Sequence, residues 1–162
     1  MSTNTGDYQE YNNLGIRFPY PTNWSVQTES WDEGTYVITV DSPEGSFWSV
    51  TIYPKGIDRE ESAQKILHTL KGEYDKLEHL PVHRYIADRR LTGYEVNFFY
   101  LDMTSTAMVL HFEEGDRAYV LFWQTCDRLA LMGEKVSHAD VFEAMTHAMM
   151  TNLQNPENKG IL

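Results

Sequence analysis

The stretch that decides the fold lies near the start of the chain, where residues 14–26 read LGIRFPYPTNWSV. Apolar residues alternate as in a β-strand up to a pair of prolines, and a tryptophan then leads into a second strand-like segment. Pro21 sets its own φ angle and biases Tyr20 towards an extended conformation, so this segment turns without becoming a helix. Aromatic residues flanked by strand signals are usually core residues. We therefore expect Phe18 to point into the core and Trp24 to close one end of it.

Size and charge limit the possible partners. A chain of 162 residues, 41% of them hydrophobic, can bury about 70% of its unfolded surface and needs no disulfide or metal for a core. Its formal net charge is −11, which repels phosphate backbones and anionic lipid. No apolar run approaches the length of a membrane span. The sequence therefore predicts a globular domain that binds no nucleic acid and does not insert into a membrane.

The two ends of the chain are polar, and nothing between them resembles a linker, a repeat or a low-complexity block. We expect a disordered tail over residues 1–12, one domain over residues 13–153, and a polar C-terminal tail over residues 154–162. The first tail lacks the basic and apolar segments of a secretory signal, which favours a cytoplasmic location. A signal that had been trimmed from the chain would leave no trace in the sequence.

Hydrophobic periodicity predicts two helices and many strands. Apolar residues recur at helical spacing over residues 59–76 and again over residues 138–153. Most other segments alternate with a period of two, but residues 106–112 and 118–124 are apolar on both faces. A sheet with two apolar faces must be covered on both sides. The predicted fold is therefore α+β, a three-layer α/β/α sandwich with a central, mostly antiparallel sheet of about six to seven strands.

The opening stretch resembles that of the Mog1/PsbP-like superfamily, and the order of the predicted elements fits as well. The pattern Gly-Ile-x-Phe-x-x-Pro-x-x-Trp is carried here by Gly15, Ile16, Phe18, Pro21 and Trp24. The resemblance implies an α/β/α sandwich and a bacterial PsbP-like protein. It implies no common activity, because the superfamily includes photosystem II accessory proteins, Ran-binding import factors and proteins resembling adaptor chaperones of secreted effectors.

No residue pattern predicts catalysis. Cys126 has no histidine beside it to act as a base. His79 and His83 have the spacing of a metal pair on a helix, but Pro81 breaks that helix. Residues 137–140 contain the letters of a catalytic triad, yet neighbouring residues at a helix start point in different directions, and a helix cap explains them better. We expect no catalytic residue, no metal site and no cofactor.

Aromatic residues and methionines in excess of what a core needs suggest a protein-binding face. Methionine side chains adapt to irregular apolar partners, and exposed aromatic residues anchor interfaces. The candidate binding residues are Trp31, Phe47, Tyr53, Met132, Met149 and Met150. The competing interpretation is that these side chains fill the core.

Two classes of function remain open. The first is a non-catalytic accessory or chaperone-like domain that binds a protein partner or forms a homodimer. Residues 82–87 have the charges of a protected edge, whereas the segment 47–53 carries no charge and is either a central strand or an edge paired with another chain. Phe47 and Tyr53 on its second face need cover, which comes either from the helix over residues 59–76 or from a second copy of the chain. A symmetric dimer is favoured, because Trp31 and the methionines also call for a partner. The alternative is a small-ligand- or metal-binding protein, possibly an enzyme, with a pocket between sheet and helix.

Overall fold

The computed structural model describes residues 7–32, 34–100, 103–126 and 137–153, except for the side chains of Tyr100 and Cys126. Within these ranges the chain forms β1 (Tyr8–Asn13), β2 (Ile16–Pro21), β3 (Ser25–Ser30), β4 (Tyr36–Asp41), β5 (Phe47–Pro54), α1 (Arg59–Glu73), β6 (Leu77–Ile86), β7 (Arg89–Tyr100), β8 (Met103–Glu114), β9 (Arg117–Cys126) and α2 (His138–Leu153).

The central layer is a single sheet of seven strands in the order β3-β4-β5-β9-β8-β7-β6, and β1 and β2 form a separate hairpin. Each neighbouring pair in the large sheet is antiparallel. Short turns join β6 to β7 and β8 to β9, and Gly115 allows the second of these turns because its φ angle is 62°. The predicted antiparallel sheet of about six to seven strands is confirmed.

The two helices lie on opposite faces of this sheet, as predicted. Successive side chains of a strand point to opposite faces. On β9, Val120 belongs to one core cluster with Ala63 of α1, whereas Leu121 belongs to another that contains Phe142 of α2. The apolar character of both faces of β8 and β9 therefore has a simple cause, because each face meets a helix. The α/β/α arrangement is confirmed.

Both helices begin at the side-chain caps that their sequences suggest. The Asp58 carboxylate accepts a hydrogen bond from the backbone N–H of Glu61 at 3.1 Å, and the Ser137 hydroxyl accepts one from that of Ala139 at 3.1 Å. Helix α1 ends at Glu73, three residues before the predicted end, and the backbone N–H of Tyr74 closes it on the carbonyl of Leu70.

The opening stretch belongs to the core. The β1–β2 hairpin packs beside α2 on the same face of the sheet. Phe18 is fully buried, and its ring centroid lies 4.8 Å from that of Trp48. Trp24 is 8% exposed and meets the rings of His138 and Phe142 edge-on. The expected roles of Phe18 and Trp24 are confirmed.

The disordered tail predicted for residues 1–12 is too long, because residues 8–13 form β1. Tyr11 is the one buried side chain of that strand. Its ring stacks on Phe18 at 5.1 Å, and its hydroxyl lies 2.9 Å from that of Thr28. A strand that buries a single residue shows no alternation from which it could be predicted. The predicted C-terminal tail, residues 154–162, lies outside the described residues.

Strand β5 lies between β4 and β9, so residues 47–53 form a central strand, the first of the two alternatives that the sequence left open. They are not an edge that pairs with another chain, and a homodimer stays a prediction. Cross-strand neighbours on both sides explain why this strand needs no protecting charge. The edges of the sheet are β3 and β6. Residues 82–87 overlap the edge strand β6, in agreement with the predicted protected edge. Neither described helix is long and apolar enough to cross a membrane.

Candidate functional site

One half of the α1 face of the sheet has no helix over it in the described part of the chain. The seven strands, about 4.8 Å apart, span roughly 29 Å, whereas a helix is only about 10 Å wide. On the other face the β1–β2 hairpin adds cover beside α2. Helix α1 packs over β8 and β9 and leaves the outward side chains of β5 half-buried, namely Phe47, Ser49, Thr51 and Tyr53.

A groove of about 390 Å³ runs between α1 and the strands β5 and β9. Its apolar walls and floor are formed by Phe47, Ile66, Leu70, Tyr74 and Phe122, and Glu73 lies at its rim. Ile66, Leu70 and Glu73 are four and then three residues apart, so they share one side of α1. The strands supply Phe47 and Phe122 from the sheet. The groove therefore combines two elements that are distant in the sequence.

The aromatic rings of the groove are held in place by other rings. Phe47 and Phe122 meet edge-on, with ring centroids 5.2 Å apart. Tyr74 stacks on Phe98 at 4.1 Å. Packed rings lose little freedom when a ligand arrives, which favours binding. The groove is thus a preformed, mostly apolar surface that no element in the described ranges covers.

The predicted binding residues fall into three groups. Phe47 lines the groove, and Tyr53 packs near Ile66 on the same face. Trp31 is 58% exposed, and its indole N–H donates to Glu29, but it lies beyond the edge strand β3 and outside the groove. The three side chains therefore do not form one patch, and their role in binding stays a prediction.

Two of the three candidate methionines are core residues. Met149 and Met150 are completely buried between α2 and the sheet, so the prediction that they contact a partner is wrong. The physical reason is that α2 must fill one whole layer of the core, and it uses flexible methionines to do so. Met132 lies outside the described residues.

Sequence reasoning missed a serine and a carboxylate that the fold places around His138. The Ser46 hydroxyl lies 2.8 Å from His138 Nδ1, and Glu44 Oε1 lies 3.6 Å from Nε2. A nucleophile must be reachable by its substrate, but Ser46 is only 4% exposed and the Trp24 ring packs against the imidazole at 4.9 Å. This cluster anchors the start of α2 to the β4–β5 hairpin.

A second polar cluster, also missed, joins the start of α1 to the sheet around His111. Arg59 donates to His111 Nδ1 at 3.0 Å, and His111 Nε2 lies 3.2 Å from a Glu60 carboxylate oxygen. Because a guanidinium can only donate, Nδ1 is the acceptor and the imidazole is neutral, with its proton on Nε2. Tyr94 and Gln64 also donate to Glu60. Both ring nitrogens are occupied, so His111 offers none to a substrate or metal.

We expect the free energy of unfolding to decrease as the pH falls below about 6.5, the usual pKa of histidine. Burial lowers the pKa of His111, and the charge of Arg59 lowers it further. The hydrogen bond to Glu60 acts in the opposite direction and raises this pKa. The unfolded chain therefore binds a proton that the native state resists, at a cost of up to about 1.4 kcal/mol per pH unit.

Denaturant midpoints between pH 7.5 and 5.5 measure this dependence. His111→Gln should flatten the pH dependence in that window, while His68→Gln, at an exposed position of α1, should leave it unchanged. Equal slopes in all three proteins would contradict the assignment.

No group of three or more His, Cys, Asp or Glu side chains is placed to hold a metal ion within the described ranges.

Nothing in the sequence indicates the groove as a whole. Phe122, for example, is recognisable only as one residue of a strand that is apolar on both faces. One local signal could have directed attention there: Glu73 places a negative charge at the C-terminal end of a helix, where the helix dipole disfavours it.

Comparisons with known proteins identify the fold. No family model matches the sequence, and no curated protein matches it. The structure is similar to that of PsbP from the cyanobacterium Synechocystis sp. PCC 6803, with 13% identity, 90% of this chain and 92% of that chain covered, and a TM-score of 0.54.

A crystal structure from Bacteroides thetaiotaomicron is also similar, with 11% identity over 88% of this chain and a TM-score of 0.51, although this chain spans only 47% of its length. LpqN of Mycobacterium tuberculosis matches over 85% of this chain and 86% of its own, with 12% identity and a TM-score of 0.43. The likeness to the cyanobacterial protein agrees with the motif in the opening stretch, and the chain has the PsbP-like fold.

Proposed function

We propose that this protein is a non-catalytic, chaperone-like accessory domain, and that it binds a segment of a partner protein in the groove between α1 and β5. The observation that carries the proposal is the preformed apolar groove on a half of the sheet that no described element covers. An accessory role is compatible with the PsbP-like fold. The single cysteine fits a protein of a reducing compartment, and we place it in the cytoplasm of a bacterium.

The form of the groove favours a polypeptide over a small molecule. Small-ligand sites usually enclose most of the ligand surface, whereas this groove is open and continues into the half-buried face of β5. The backbone of β5 is already paired with β4 and β9, so a partner cannot add a strand there and must be recognised through side chains. An extended segment can follow such a surface and place a few apolar side chains in the groove.

The absence of catalysis is part of the same proposal. Of the buried polar clusters around His138 and His111, the first keeps its serine out of reach of solvent and the second uses both nitrogens of its imidazole. The alternative function, a small-ligand-binding protein, has some support because the volume of the groove falls within the usual range for such sites.

Photo-crosslinking from the groove tests the proposal. The crosslinking amino acid p-benzoylphenylalanine is placed at Thr69, which lines the groove, and in a control protein at Glu61, which is exposed in the first turn of α1 and does not line the groove. After irradiation in the host, mass spectrometry identifies the adducts. We expect a peptide of another protein to be attached at position 69 and not at position 61.

A matched pair of variants makes the result specific. Phe47→Ser, in the groove, should abolish the adduct, whereas Tyr85→Ser, which removes a 75% exposed aromatic residue from β6, should not. A crosslink to a second copy of this chain would replace the proposal with a homodimer. An adduct of small-molecule mass would favour the ligand-binding alternative, and equal labelling from both positions would contradict a site in the groove.

A further inference from the structure

We infer that the segment bound in the groove is cationic, with an apolar side chain seated against Phe47 and Phe122 and an adjacent lysine or arginine held by Glu73 and Asp41. This inference rests on the proposed function and specifies the chemistry of the partner. It follows from the charges around the groove, from the aromatic rings and from the position of Glu73 in its helix.

Two carboxylates flank the aromatic end of the groove. Glu73 is part of its lining. Asp41 lies directly opposite Phe47 in the pairing of β4 with β5, and cross-strand partners point to the same face. Neither carboxylate forms an ion pair with another residue in the described ranges. The lining contains no lysine or arginine, so a positive charge arriving there would meet two uncompensated negative ones.

The aromatic rings add to the attraction. A cation near the face of an aromatic ring is stabilised by the ring quadrupole, most often when the cation is an arginine. Phe47 and Phe122 supply such rings beside the two carboxylates. An apolar stem that ends in a charged group, as in lysine or arginine, suits this surface because its carbon chain contacts the rings while its head reaches the rim. At longer range the net charge of −11 attracts basic segments.

Glu73 is placed where it opposes the stability of its own helix. It is the last residue of α1, next to the negative end of the helix dipole, and a carboxylate there is unfavourable. Lys71 lies in the same last turn, but no ion pair joins it to Glu73 in the described part of the chain. Residues that break a local stability rule tend to mark functional positions. Replacing Glu73 should therefore weaken binding and at the same time stabilise the fold, a combination that a purely structural role would not produce.

Two synthetic peptides provide the test. They have the same length and the same apolar residues, and they differ only at their two charged positions. The basic probe is acetyl-Ser-Leu-Lys-Phe-Arg-Ser-amide, and the acidic probe has glutamate in place of lysine and arginine. Each is titrated into the isotopically labelled protein, and amide chemical shifts of the groove residues report binding. We expect the basic probe to shift Phe47, Leu70 and Phe122, with at least about tenfold higher affinity than the acidic probe, as the loss of one ion pair would give.

Charge reversal at two positions of α1 separates a site from a general charge effect. Glu73→Lys should weaken the basic probe about tenfold, strengthen the acidic one and raise the denaturant midpoint. Glu61→Lys, at the other end of the helix, should change neither affinity by more than about twofold, since screening removes most of the effect of a distant exposed charge. The raised midpoint excludes misfolding as the cause of any loss.

The inference is overturned if the basic probe leaves the groove shifts unchanged, if both probes bind equally, or if the two reversals act equally. A crosslink from position 69 to a partner segment that lacks lysine and arginine also overturns it, while the proposed binding function stands. If no partner is crosslinked but the basic probe binds as expected, the charge preference of the groove stands and the proposed function fails.

Discussion

Gly93→Ala is expected to cost more than about 4 kcal/mol of folding stability and to leave little soluble protein. A Cβ atom on Gly93 would lie 1.7 Å from the carbonyl oxygen of Val109 and 2.9 Å from the Cα atom of Leu110. Both are backbone atoms of β8, an interior strand, so relief would require two central strands to separate. Costs of this size are exceptional for one substitution and are comparable with the total stability of a domain.

A second glycine gives a matched control. An added Cβ on Gly72, in the last turn of α1, meets nothing within 4 Å, and alanine is the better helix former by about 0.5–1 kcal/mol. Gly72→Ala should therefore raise the denaturant midpoint, while Gly93→Ala should give inclusion bodies or a greatly lowered midpoint. A Gly93→Ala protein that unfolds at the wild-type midpoint would show that β7 and β8 do not approach each other in this way.

Trp24→Ala is expected to lower the free energy of unfolding by about 3–5 kcal/mol, the usual cost of truncating a large core aromatic residue. Trp24 is 8% exposed, and its ring lies 4.9 Å from that of His138 and 5.5 Å from that of Phe142. Its removal would leave a cavity between the start of α2 and the turn that leads from β2 into β3. The hairpin and α2 would then lose a shared anchor.

Trp31→Ala is the corresponding exposed substitution. Trp31 is 58% exposed, and its indole N–H donates a surface hydrogen bond to Glu29, so removal of the side chain should change stability by no more than about 0.5 kcal/mol. Urea midpoints of the two variants, followed by circular dichroism, compare them directly. If Trp31→Ala were the more destabilised protein, the interpretation of the opening stretch would be wrong.

Local periodicity was sufficient to predict the layers of this protein. The stripe of α1 runs through Ala63, Leu67 and Leu70, which are buried in the structure, and its Asp58 cap is read directly from neighbouring residues. Strands β8 and β9 each have apolar side chains at successive positions, and this pattern predicts that both of their faces are buried. Such signals depend on residues only a few positions apart, which is enough to show which faces of a helix or strand are apolar.

The candidate site could not be predicted in the same way. Phe47, Ile66 and Phe122 come from three separate elements, and only the strand order places β5 next to β9. The Ser46–His138 contact joins residues 92 positions apart, and the His111 cluster joins β8 to the start of α1 across about fifty positions.

The amino-acid sequence by itself determined the α/β/α layers, the two helices with their caps, and the burial of Phe18 and Trp24, since each follows from the spacing of apolar residues along a short segment. Tertiary structure alone decided that β5 is central, that Met149 and Met150 are core residues, and that half of the α1 face has no helix over it among the described residues. The physical reason is one of dimensions. A seven-stranded sheet is about three times as wide as one helix, and which strands a helix leaves uncovered depends on strand order, which no local pattern contains.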